Sequence, residues 1–99
     1  MLNKEQILTY LKAIKPMLER EYHVSSIGLF GSFSTGEQKE DSDIDVIIEF
    51  KPETENLFEI KEEIRRLIGE YFRRDVDLCR EKYIKPYFKK QILKTAIYA

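Results

Sequence analysis

Apolar residues recur at helical spacing over Ile7, Leu8, Leu11 and Ile14, which predicts a first helix that Asn3 can cap. Pro16 interrupts the pattern, so a break near Lys15 and a second short helix through Met17, Leu18 and Tyr22 are expected. Val24 to Phe30 is β-branched and apolar and reads as a strand ending at Gly31, with His23 at the junction and without a role. The polar segment Ser32 to Ser42 carries Gly36 and reads as a turn or a single helical turn. Asp43 to Phe50 is the second strand. Its run Val46-Ile47-Ile48 does not alternate, the mark of a central strand buried on both faces.

Past Lys51-Pro52, Asn56 can cap a helix whose Leu57, Ile60, Ile64, Leu67, Ile68 and Tyr71 form an apolar stripe opposite Lys61, Glu62, Glu63, Arg65 and Arg66. Asp75 to Cys79 alternates as a short third strand. A last helix begins at Lys85-Pro86 and runs through Phe88, Ile92, Leu93, Ala96 and Ile97. The helix between the second and third strands makes them parallel by a right-handed crossover, and the short connection between the first two makes those antiparallel. The expected fold is therefore α/β (α+β): a small mixed sheet of three to four strands backed by helices, in one domain over residues 1–99.

That topology brings Gly31-Ser32, Asp43-Ile44-Asp45 and the start of the third strand to one edge of the sheet. Residues two apart on a strand share a face, so Asp43 and Asp45 can converge on one cation, and Asp75 and Asp77 share a face in the same way. Unpaired, such carboxylates repel. Hard oxygen donors suit Mg²⁺, which keeps waters and substrate phosphates among its ligands. A third carboxylate can take a proton from an attacking hydroxyl. Gly31 lets a phosphate approach the backbone, and Ser32 can donate to it. Together these residues point to metal-assisted nucleotidyl transfer from a nucleoside triphosphate.

Charge refines the picture. Lys and Arg total 17 against 18 Asp and Glu, which argues against direct nucleic-acid binding through a net basic face. Acids gather at Glu37, Glu40, Asp41, Asp43 and Asp45, while Arg80, Lys82, Lys85, Lys89, Lys90 and Lys94 make the end basic. That end reads as a solvated face or one turned to an acidic partner. Tyr71, Phe72, Tyr83, Tyr87 and Phe88 read mostly as core, with a partner patch as the alternative. The single Cys79 excludes an internal disulfide and reads as a buried, inert thiol. Neither a leader-like run at Met1 to Gln6 nor an apolar stretch near the ~20 residues of a membrane span is present. A cytoplasmic protein without a membrane partner is expected.

Gly31-Ser32, then Ser42-Asp43-Ile44-Asp45-Val46-Ile47-Ile48, then Val76-Asp77-Leu78 and Lys85-Pro86-Tyr87 together resemble the minimal nucleotidyltransferases of the DNA polymerase β-like superfamily. More narrowly, they resemble the MNT antitoxins paired with HEPN-domain toxins. The resemblance implies that Gly31 and Ser32 hold the triphosphate of ATP, that Asp43 and Asp45 bind Mg²⁺, and that Asp77 is the third catalytic and metal-binding carboxylate, with Asp75 incidental. It also implies transfer of AMP to a tyrosine of a HEPN ribonuclease toxin, direct binding of that toxin, and a hetero-oligomer, with a homodimer left open. The family often places a basic residue just before the second glycine, where this chain has Thr35. Two alternatives stand beside this reading: an antitoxin that neutralises its partner by covering it, and an antibiotic-type nucleotidyltransferase, disfavoured because no second domain holds such an acceptor.

Overall fold

The computed structural model describes residues 1–99. A four-stranded sheet in the order β3-β2-β1-β4 is built from β1 (Val24–Phe30), β2 (Ile44–Phe50), β3 (Val76–Arg80) and β4 (Ile97–Tyr98). β1 and β2 are antiparallel, and β2 and β3 are parallel across the intervening helix α3 (Leu57–Phe72), as the connection lengths require. On one face Ile27, Leu29, Val46, Ile48 and Leu78 meet Ile7, Leu11 and Leu18 of helix α1 (Lys4–Tyr22) and Ile64 and Ile68 of α3 in a single core. Val46, Ile47 and Ile48 are all fully buried, in keeping with a central strand.

Several elements differ from expectation. Pro16 does not divide the first helix, because α1 runs unbroken through it. Lys12, whose carbonyl loses its partner to the proline ring, and Pro16 itself are exposed, so water can take up that carbonyl while the buried stripe passes on the other side. Asn3 caps this helix in a full capping box with Gln6. Asn56 stands at the start of α3 in the left-handed region, with φ 58°, and its side chain caps nothing. The last helix, α4 (Pro86–Thr95), stops before Ala96; Ile97 instead pairs with Leu29 as part of β4. No α4 residue is buried. Tyr71, Tyr83, Tyr87 and Phe88 are 63%, 69%, 86% and 51% exposed, which overturns the assignment of these aromatics to the core. Tyr83, Tyr87 and Phe88 lie where the side of the sheet that α4 overlies is only partly covered, and Tyr71 at the end of α3 stacks on Tyr10 of α1 with ring centroids 3.9 Å apart.

No helix is long and apolar enough to cross a membrane.

Candidate active site

β1 ends because Gly31 turns the chain with φ 73°, a conformation that costs glycine little. The five-residue helix α2 (Gly31–Thr35) follows at once and is closed by Gly36 in the left-handed region, whose N–H donates to Ser32 O. The Ser32 carbonyl also accepts from the Glu37 N–H at 2.9 Å and the Thr35 hydroxyl at 3.3 Å. None of these bonds uses the Ser32 hydroxyl. Phe33 and Ser34 are buried and root the turn, Ser34 by donating to the Thr95 carbonyl of α4.

Asp45 lies opposite Phe30 of β1 on one side and opposite Asp77 of β3 on the other. It alternates with the core residues Ile44 and Val46, so Asp45 and Asp77 project from the sheet face away from α1. The Asp45 carboxylate rests against Gly31, where a Cβ would stand 2.8 Å from its Cγ and overlap Oδ2. Burial first, then the charges of Asp77 and Asp43, push this carboxyl up to about 6. Asp43 lies one residue ahead of β2 and is exposed. The carboxylates are neighbours and not yet a closed ligand set, since no group of three acidic, histidine or cysteine side chains is gathered closely enough to hold an ion. Their chemistry fits a hard divalent cation nonetheless: three carboxylates at the ends of adjacent strands, with Asp45 raised first by burial and then by the charges of the other two.

Three clefts open around these strand ends. Gly31 shares one of about 560 Å³ with Phe30, Ile92 and Lys94. Asp77 shares another, of about 450 Å³ and mostly apolar, with Phe30, Cys79, Phe88 and Ile92. Asp43 and Asp75 line a third, of about 690 Å³, with Arg65, Arg66, Arg73 and Arg74. Asp75 thus faces a different cleft from Asp77, and its carbonyl accepts from the Ile44 N–H at 2.9 Å.

Cys79 is half-buried beside the carboxylates and is not a core residue. Its thiol donates to Asp77 Oδ1 at 3.6 Å. Burial, followed by the charge of Asp77, pushes that thiol up to about 11, so it stays protonated and inert as expected.

Two site residues escape a motif reading. Arg74 donates from Nη1 to the Ser42 carbonyl at 2.8 Å and lies 5.4 Å from the Phe33 ring centroid, pinning the approach to Asp43 onto α2. Lys94 brings a cation to the cleft of Gly31 from 63 residues away in sequence. Within its own helix it is one of several lysines and carries no distinguishing signal.

Comparison with known proteins supplies the family. A nucleotidyltransferase domain model matches residues 10–99. Protein adenylyltransferase MntA of Thermococcus cleftensis is 35% identical over 100 residues, spanning 99% of this chain and 97% of that protein. Among solved structures, one described as a minimal nucleotidyltransferase superposes with a TM-score of 0.78 at 24% identity, covering 97% of this chain and 95% of the other. A toxin-antitoxin structure with AMP-PNP gives 0.66 at 25% identity over 98% and 72%. A complex of tri-AMPylated Shewanella oneidensis HEPN toxin with MNT antitoxin gives 0.62 at 20% identity over 96% and 70%. A family match over residues 10–99 and a relative aligned along almost its whole length admit one assignment: the chain belongs to the nucleotidyltransferase domain family, as an enzyme of the minimal, MNT, type that includes MntA.

Proposed function

We propose that this chain transfers AMP from ATP to a tyrosine hydroxyl of a HEPN ribonuclease and so acts as its antitoxin. The observation that carries the reading is Asp45, held between Asp77 and the backbone of Gly31 where two small residues turn the chain. The named relative is a protein adenylyltransferase, and a structural neighbour holds an AMPylated HEPN toxin, which supports the same acceptor here.

In the reaction the acceptor oxygen attacks the α-phosphorus, a new oxygen–phosphorus bond forms, the bond to the β-phosphate oxygen breaks, and pyrophosphate leaves. Gly31 and Ser32 hold the phosphates: the missing Cβ leaves the backbone open, and the Ser32 hydroxyl is a ready donor. Lys94 offsets the charge of the leaving pyrophosphate in the cleft it shares with Gly31. Asp43, Asp45 and Asp77 would hold Mg²⁺, which supplies charge neutralisation and alignment of the α-phosphate when bound. Asp77, exposed at the mouth of the apolar cleft, is placed to receive the acceptor's proton. With ATP labelled in its α-phosphate and Mg²⁺ present, label should move to the proposed HEPN partner and stay on ATP with an Asp45→Asn variant. Transfer by that variant at the unmodified rate would overturn the reading.

A further inference from the structure

The net charge of −1 conceals an uneven distribution. Glu40, Asp41 and Asp43 of the loop leading into β2 share their cleft with Arg65, Arg66, Arg73 and Arg74. Residues 82–95, by contrast, carry five lysines and no acid. α4 divides its faces accordingly. Phe88 and Ile92, four residues apart, line the apolar cleft that ends at Asp77. Tyr87 and Lys90, three apart, point to solvent beside Lys85, and Tyr87 is 86% exposed.

Tyr83 lines the same apolar cleft as Phe88 and Ile92 and is a fixed, exposed platform there. Its ring lies 5.1 Å from the Arg80 guanidinium, which Glu49 binds through both Nε and an Nη. Phe50 backs the same guanidinium at 5.7 Å. An exposed aromatic held in place, with Lys82 Nζ 5.8 Å from its ring centroid, is what a protein interface uses, since little side-chain freedom is left to lose on binding.

We propose that the outer face of α4 with Tyr83 docks the acceptor protein through an acidic surface patch, delivering the target side chain along the apolar cleft toward Asp77. The inference rests on the transfer reaction proposed above and adds how its protein substrate is oriented.

The test measures binding of the proposed HEPN partner, by titration calorimetry at two salt concentrations, to the wild-type chain, to Lys85→Glu/Lys90→Glu and to Tyr87→Ser. All three side chains are exposed, and a glutamate at position 85 is favoured by its place at the start of α4. The charge variant should bind at least ~10-fold more weakly at low salt and lose most of the salt dependence. Tyr87→Ser should weaken binding at least ~5-fold without altering the salt dependence. ATP binding should be unchanged in both. Wild-type binding with both variants within twofold of it overturns the docking surface and leaves the transfer reaction standing. Absence of any wild-type complex overturns both.

Discussion

The carboxylate of Asp45 fills the place a side chain on Gly31 would need, so the Gly31 turn and the central carboxylate are fitted to one another. Gly31→Ala should therefore act twice. The positive φ costs about 1–3 kcal/mol of stability, read as a lower urea midpoint, and the displaced Asp45 costs orders of magnitude in transfer rate. Full activity in a destabilised Gly31→Ala would separate the two residues.

Asp45 also sets a pH dependence. With its folded carboxyl at about 6, the metal-free folded chain holds a proton that the unfolded chain releases near the ordinary carboxylate range. Stability consequently falls as pH rises through that window and levels off above about 6. Thermal melts of metal-free protein should show this decline, and Asp45→Asn should flatten it and melt higher at pH 7.5. Mg²⁺ should raise the melting temperature of the wild type at pH 7.5 and leave the variant unmoved.

Glu49, on the same strand face, has the opposite sign. Burial pushes its carboxyl up, but the Arg80 hydrogen bond, the Phe50 and Lys82 N–H groups and the Arg80 charge together hold it below the ordinary value. Its stabilisation is present above that value and is lost as pH falls through the lowered one. Arg80→Leu, which strands a carboxylate only 22% exposed, should cost about 2 kcal/mol, measured by chemical denaturation. The acid-side loss should shift to higher pH with it.

Lys94→Gln should raise the KM for ATP about 10-fold with a smaller effect on kcat, because a cation in the Gly31 cleft meets the phosphates before and during the step. Lys94→Arg should recover most of the loss. An unchanged KM would return Lys94 to the solvated face.

The parallel and antiparallel pairings were legible because connection length decides them, and Gly31, Asp45 and Asp77 could be placed at one edge for the same reason. What local pattern could not show lay in tertiary context. Pro16 stays within α1 because its side of the helix is wet. Ile97 leaves its helix for the free edge of β1, a partner remote in sequence. Tyr83, Tyr87 and Phe88 carry core-like spacing but overlie a face left partly open. Arg74 and Lys94 join the site only through chain reversals that no neighbouring residue signals.

The most direct measurement is the intact mass of the proposed HEPN partner after incubation with the chain, ATP and Mg²⁺, beside Asp43→Ala/Asp45→Ala. Mass gained in steps of one AMP with the wild type and absent with the variant is the result this account predicts. An unchanged mass, with a stable complex formed and the ribonuclease silenced equally by both, would contradict it and leave an antitoxin that acts by binding alone.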